Sequence, residues 1–185
     1  MVVAVRKGDS FVVGVTSSDG FVDMTEKDLT LEENLPACKV SGVKNCYLLA
    51  EDLSFEFDLL KFNGNIFKNV TDGKSVSNTV VPKIKSLLSS YDMIKGNGNW
   101  NCQILIIKDD KAFVVNSCFV VNDVEEFAAL GYEKYVIGAL ENSRDKTYEE
   151  RVLYAFRHVE KCLNKKLFPV TIIDYNTNKR KVVTS

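Results

Sequence analysis

The sequence lacks the features that several large classes of protein need. No apolar run approaches the roughly 18 residues that cross a bilayer. Basic and acidic residues nearly balance, at 24 and 25, so nothing in the net charge of −1 favours non-specific binding to nucleic acid or to an anionic membrane. Arg6 and Lys7 follow a short apolar stretch, which is the wrong order for a secretion signal. We therefore expect a cytoplasmic protein with neither nucleic-acid nor membrane partners.

Metal-ligand and cofactor motifs are also scarce. His158 is the one histidine, and the five cysteines are widely spaced without any CxxC pair. An odd number of scattered cysteines predicts buried, reduced thiols. His158 and Cys162 lie four residues apart, where a helix places two side chains on one face, but a metal needs at least two further ligands. The glycine-rich stretch at 96–99 has no lysine and Ser/Thr pair after it. We predict no metal and no cofactor.

What the sequence does contain is typical of one globular domain. The chain has 185 residues, of which 45 % are hydrophobic and 26 % charged, enough for a sizeable core. The three prolines do not cluster into a linker, and there are no internal repeats. We predict a single domain over residues 1–185.

Hairpin and helix signals alternate along the chain. Short β-rich runs surround polar turns in the N-terminal quarter, near the middle and at the C-terminus. The predicted hairpin turns are at Lys7–Ser10, Lys44–Asn45, Asp109–Asp110 and Thr177–Asn178. Apolar residues at helical spacing predict helices over 52–62, 75–91 and 148–163, with Pro82 near the start of the second and Thr147 as the N-cap of the last. The acidic segment TEKDLTLEEN, residues 25–34, is predicted to be a loop or a short exposed helix.

This order predicts an α+β architecture. Strands come in antiparallel pairs and helices come in pairs, so two sheets that are each covered by a helix pair bury both faces. The predicted fold is therefore a four-layer αββα sandwich of two antiparallel sheets.

The same order resembles proteasome β-type subunits and bacterial proteasome-like peptidases, within the N-terminal nucleophile hydrolases. The resemblance is spread over nearly the whole chain. It is carried by the segments VVAVRKGDSFVVGV, LPACKVSGVKNCYLLA, ILIIKDDKAFVVNSCFVVNDVEEFAALG, YVIGALEN and PVTIIDYNTNKRKVV, together with the helix from Tyr148. In active members an N-terminal threonine attacks the substrate carbonyl, its own α-amine is the base, and a nearby lysine, aspartate and serines tune and orient the pair.

Most of the catalytic set that the resemblance implies is missing. Lys39 falls at the position of the family's lysine and is the candidate catalytic residue, although a strand-end lysine in solvent or beside a local carboxylate is the simpler interpretation. The positions of the nucleophile, the aspartate and the two orienting segments read Met1-Val2-Val3, Thr16, Gly131-Tyr132-Glu133 and Cys162-Leu163-Asn164-Lys165-Lys166. The sequence thus predicts a proteasome-like fold without that chemistry.

Three functions remain open from the sequence. The first is a catalytically silent subunit that assembles into a ring, either with copies of itself or with a paralogous proteasome-like subunit. The second is an active amide hydrolase with an unrecognised nucleophile. Ser-His-Asp catalysis could use only His158, and no G-x-S-x-G turn is present. The third is a module that binds a small ligand on the same fold.

Overall fold

The computed structural model describes residues 1–16, 37–51 and 54–185. The chain divides into two compact units. The first unit is formed by residues 1–36 and 125–185, and the second by residues 37–124. The acidic segment at 25–34 lies outside the described residues.

The first unit is built on a five-stranded antiparallel sheet. The strands lie in the order β10-β9-β2-β1-β8. Their bounds are Val2–Lys7 for β1, Ser10–Thr16 for β2, Phe127–Leu130 for β8, Val170–Asp174 for β9 and Lys179–Val183 for β10. In the β1–β2 hairpin Lys7 pairs with Ser10, and Gly8 adopts a φ of 60°, a left-handed conformation that glycine reaches without strain. The predicted N-terminal hairpin is confirmed.

Two helices pack on this sheet, α4 over Glu133–Glu141 and α5 over Tyr148–Leu163. Their apolar sides share one buried cluster with alternate residues of β1, among them Val3 and Val5. Helix α5 spans the predicted residues and begins at the predicted N-cap. The Thr147 side chain accepts from the Glu150 N–H, and the Glu150 carboxylate accepts from the Thr147 N–H. This reciprocal capping satisfies two backbone donors that the first turn would otherwise leave unpaired.

The second unit repeats the plan with its own five-stranded antiparallel sheet. The strands lie in the order β3-β4-β5-β6-β7. Their bounds are Ala37–Lys39 for β3, Cys46–Ala50 for β4, Ile104–Lys108 for β5, Lys111–Val115 for β6 and Val121–Asp123 for β7. The predicted turn at Asp109–Asp110 is confirmed as a two-residue connection, because Lys108 pairs with Lys111.

The helices of the second unit fall on the predicted segments 52–62 and 75–91 but have different bounds. Helix α1 covers Phe55–Phe62 and is capped by Ser54, and a 3₁₀ turn covers Gly64–Phe67. The next helical stretch changes character along its length, with α2 at Gly73–Ser75, a π-helical turn at Val76–Val80 and α3 at Val81–Ser89. Pro82 lies in the first turn of α3, where its missing N–H costs least. The prediction that Pro82 lies near the start of a helix is confirmed for α3.

The predicted fold class is confirmed. Both sheets are antiparallel, and within each unit helices cover a sheet and bury an apolar cluster against it. Trp100 is part of the core of the second unit, where it stacks on Phe119 and its indole N–H donates to the Asn116 carbonyl. None of the described helices is long and apolar enough to cross a membrane. The single domain over residues 1–185 stays a prediction.

Asp174, at the end of β9, gives the first unit a pH-dependent stability. Burial raises the pKa of this carboxyl, but hydrogen bonds from Lys7 at 2.7 Å and from the Asn176 and Thr177 N–H groups outweigh it, so its pKa lies below the ordinary value. A lowered folded-state pKa stabilises the fold above the unfolded-state pKa and stops doing so as pH falls through the folded-state value. We expect Asp174→Asn to lower the melting temperature at pH 7. The difference from the parent protein should shrink below about pH 4. A difference that stays constant from pH 7 to pH 3 would contradict this role.

Candidate functional site

Met1 occupies the position that the resemblance assigns to the catalytic threonine. It precedes β1, and its side chain is buried in the same apolar cluster as Val3 and Val5. Its α-amine donates to the Thr16 hydroxyl at 2.9 Å, and its carbonyl accepts from the Thr16 N–H at 3.1 Å. The end of β2 therefore holds both main-chain polar groups of Met1. At this position the site presents a thioether packed in the core, with no hydroxyl or thiol.

The β8–α4 turn lies beside the same end of the sheet. Leu130 pairs with Val2, so the following residues, Gly131 and Tyr132, continue past the start of β1. Both adopt left-handed backbone conformations, with φ values of 80° and 57°, and Tyr132 is the N-cap of α4. The Tyr132 ring packs against the cluster that contains Met1. This is the turn where the resemblance expects an orienting serine, and here it carries a half-buried phenol.

The C-terminal end of α5 contacts that phenol. Asn164 ends the helix in a left-handed conformation with φ of 49°. Lys165 then reaches back, and its ammonium donates to the Tyr132 hydroxyl at 2.6 Å and lies 4.9 Å from the ring centroid. The two segments that the resemblance assigns to orienting residues therefore do come together, through the Tyr132–Lys165 pair.

Sequence reasoning missed this pair. Compared with the family pattern one position at a time, each of the two residues is only a departure from that pattern. They lie 33 residues apart, and a lysine–tyrosine contact at that separation leaves no periodic signal. The one available clue was that both departures fall at segments predicted to face the same site.

The candidate catalytic residue Lys39 belongs to the second unit. It is the last residue of β3, it pairs with Tyr47 of β4, and its side chain is exposed. The exposure fits the simpler interpretation of a strand-end lysine. Its catalytic role stays a prediction.

The cysteines follow the prediction only in part. All five are thiols, and Cys38, Cys46 and Cys102 are buried. Burial raises the pKa of the Cys46 thiol to about 12, although the nearby Lys108 acts in the opposite direction, so this thiol is unreactive. Cys118 and Cys162 are exposed, so for these two the predicted burial is wrong. Cys118 lies in the β6–β7 connection and Cys162 on the solvent side of α5, places that no spacing rule identifies.

His158 and Cys162 face each other on α5, as their spacing predicts. The His158 Nε2 atom lies 3.5 Å from the Cys162 Sγ atom, and the imidazole ring stacks on Tyr154. Within the described residues, no group of three or more His, Cys, Asp and Glu side chains is placed to hold a metal ion.

The fold is shared with solved structures of low sequence identity. No protein-family model matches the sequence, and no curated protein matches it. The chain is similar to BPH from Thiobacillus denitrificans in complex with epoxomicin, with TM-score 0.64, 14 % identity, and coverage of 99 % of this chain and 97 % of that one. It is also similar to Anbu, titled an ancestral beta-subunit, from Yersinia bercovieri, with TM-score 0.65, 12 % identity, and coverage of 99 % and 86 %. A third similar structure is the eukaryotic HslV from Trypanosoma brucei, with TM-score 0.59, 12 % identity, and coverage of 94 % and 98 %.

The fold is of the proteasome-like, N-terminal nucleophile hydrolase type. The likeness to BPH, Anbu and HslV that shows it extends over nearly all of the chain and concerns the fold alone. The resemblance read from the order of strands and helices is confirmed at the level of the fold.

Proposed function

We propose that this chain is a catalytically silent proteasome-like subunit whose role is to assemble with further subunits. The observation that carries the proposal is the state of Met1. The position that should present a nucleophile holds a side chain that is 7 % exposed and packed in an apolar cluster. Acyl transfer by this fold needs a hydroxyl or thiol that a base can deprotonate and a substrate can reach. A buried thioether has no proton to give.

The surroundings of Met1 support the same conclusion. The α-amine, which would act as the base, donates to the Thr16 hydroxyl. Thr16 stands where the resemblance expects an aspartate, and a neutral hydroxyl does not supply the negative charge of that aspartate. Where the resemblance expects orienting groups, the Lys165 ammonium donates a hydrogen bond to the Tyr132 hydroxyl at 2.6 Å. Each of these positions differs from the family pattern, and catalysis by groups that act as a unit is largely lost when one of them is missing.

An assembly role follows from the fold and from the surface. The resemblance implies ring assembly, in which one surface of a subunit repeatedly meets a different surface of the next until the ring closes. Several described helices present large apolar side chains to solvent, and burial of these side chains against another subunit would stabilise an assembly. They include Phe55 at 59 % and Phe62 at 81 % exposed on α1, and Ile137 at 47 % on α4. The proposed partners are further copies of this chain or a paralogous proteasome-like subunit.

Native mass spectrometry tests both parts of the proposal. We expect a chain of unchanged mass in a closed assembly of several copies, and we expect incubation with epoxomicin to add no mass. Epoxomicin is a suitable probe because BPH, which has a similar fold, is in complex with it. A matched sample of an active proteasome-like peptidase should take up the compound under the same conditions.

Two results would overturn the proposal in different ways. A covalent epoxomicin adduct, or a shortened chain that exposes a Thr, Ser or Cys, would make the protein an active hydrolase with an unrecognised nucleophile. A chain of unchanged mass that stays monomeric alone and in cell extract would remove the assembly role and favour a ligand-binding module. In that case a screen for ligands that raise the melting temperature would be the next step.

A further inference from the structure

Helix α5 carries two metal-ligating side chains on its solvent side, away from the cluster around Met1. His158 is partly exposed and Cys162 is exposed. They are separated by one helical turn, and the His158 Nε2 atom lies 3.5 Å from the Cys162 Sγ atom. Imidazole nitrogen and thiolate sulfur are the two ligands that zinc uses most in structural sites.

The separation of these two atoms matches one edge of a zinc tetrahedron. Zinc binds sulfur at about 2.3 Å and imidazole nitrogen at about 2.0–2.1 Å. With a tetrahedral angle between the two bonds, the nitrogen and the sulfur are about 3.5 Å apart. The structure already has this distance, so both ligands reach one ion with little movement.

The groups around the pair include some that favour a bound cation and one that opposes it. The imidazole stacks on the Tyr154 ring, which restricts its orientation. Cys162 is the penultimate residue of α5, where the unsatisfied carbonyls of the helix end favour a cation. Of the nearby cations, Arg157 donates to the Ser185 carbonyl and Lys165 to Tyr132, which draws both charges towards other partners. Lys161 is exposed on the same turn as Cys162 and opposes a cation there.

These two side chains would be half of the four ligands of a structural zinc site. Two ligands leave two positions of the tetrahedron open, and no third described ligand lies near them. A two-fold axis beside α5 would bring the same two side chains from a second copy and complete a Cys₂His₂ set, because a two-fold contact places the same surface on both partners. On binding, each Cys162 thiol loses its proton to solvent and coordinates as the thiolate.

We propose that His158 and Cys162 form a half-site for zinc that joins two copies of this chain through α5. The contact is isologous, whereas the proposed ring contact is head-to-tail, so the two differ in kind. The inference therefore does not depend on the proposed function, and it holds for a monomer as well as for a ring.

Zinc titration of chelator-treated protein tests the half-site. We expect saturation at one zinc for every two chains, together with a doubling of the particle mass measured by native mass spectrometry and sedimentation. Cobalt used in place of zinc should give the absorption of a tetrahedral, thiolate-bound ion. Cys162→Ser and His158→Asn should each weaken zinc binding by at least about tenfold and abolish the doubling.

Cys118→Ser is the matched control, because Cys118 is the other exposed cysteine among the described residues. It should bind zinc and associate like the parent protein, and circular dichroism should show that all three variants stay folded. Unchanged zinc affinity in Cys162→Ser would overturn the site. Saturation at one zinc per chain without any change of mass would overturn the second copy as the source of the remaining ligands. Neither result bears on epoxomicin uptake, so failure here is distinct from failure of the proposed function.

Discussion

Gly14→Ala should destabilise the protein by about 2–3 kcal/mol, although it adds a single methyl group. Gly14 lies in β2 where α5 crosses the sheet. A Cβ atom on it would lie 2.4 Å from Val152 Cγ1 and 2.6 Å from Phe156 Cε2, both on that helix. Packed carbon atoms do not approach so closely, so the helix or the strand must move. Val152 is β-branched and held in one rotamer by its helix, so it yields little. We expect the melting temperature to fall by roughly 5–10 °C.

Gly138→Ala is the matched control, with an effect of opposite sign. Gly138 lies inside α4, and a Cβ atom built there meets nothing within 4 Å. Alanine in place of glycine in a helix interior stabilises by about 0.5–1 kcal/mol. The two variants thus carry the same chemical change in different surroundings. If Gly14→Ala melted at the parent temperature, β2 and α5 would have to be further apart than the structure has them.

A double variant tests whether the overlap between residue 14 and Val152 causes the loss of stability. Val152→Ala alone should destabilise by creating a cavity, whereas in the Gly14→Ala background it also relieves the overlap. The cost of Val152→Ala should therefore be smaller when residue 14 is alanine. If Val152→Ala lowered the free energy of unfolding equally with glycine and with alanine at 14, the overlap with Val152 would not be the cause of the strain.

The same crossing shows what the sequence can and cannot predict. Helix α5 could be predicted from Tyr148 to Leu163 because its apolar spacing, its N-cap Thr147 and its first-turn glutamates all act within the helix itself. The need for glycine at 14 could not, because it depends on Val152 and Phe156, which lie 138 and 142 residues further along the chain. Local rules describe one element, and close packing between elements follows from the whole fold.

The same distinction between local features and contacts between elements applies to the candidate site. The missing threonine, aspartate and serine could be read from the sequence by comparison with the family pattern at fixed places along the chain. The Tyr132–Lys165 pair and the two hydrogen bonds between Met1 and Thr16 could not, since each joins residues from different elements. An absent group is visible in one segment alone, whereas the group that takes its place is defined by its contacts. Sequence reasoning therefore predicted what the site has lost but not what the site now contains.

A network of ion pairs near the C-terminal end of α4 links the residues before β8 to both helices of the first unit. Glu126 precedes β8, and its carboxylate accepts from Arg151 of α5 at 3.2 Å and from Arg144 at 3.1 Å. The Arg151 side chain is 7 % exposed, and it also donates to the Leu140 carbonyl at 3.3 Å. Its Nε atom is buried without a hydrogen-bond partner. Glu126 is thus the ion-pair partner that neutralises the buried charge of Arg151, and Glu141 acts on the same charge without a direct contact.

Glu126→Ala should therefore destabilise the protein by about 2 kcal/mol. Removing one partner of a fully buried pair costs about 3–5 kcal/mol, and the effect is smaller here because Glu126 is 43 % exposed. Arg151→Met removes the charge together with its unpartnered Nε atom, so it should cost less than Glu126→Ala. Adding Arg151→Met to Glu126→Ala should recover part of the lost stability, measured as the urea midpoint at constant slope.

Glu141→Ala is the control, because it removes an exposed partner of Arg144 and should change little. If Arg151→Met proved the more damaging single change, the guanidinium would stabilise the first unit through its packing and its bond to Leu140, and its pairing with Glu126 would be secondary.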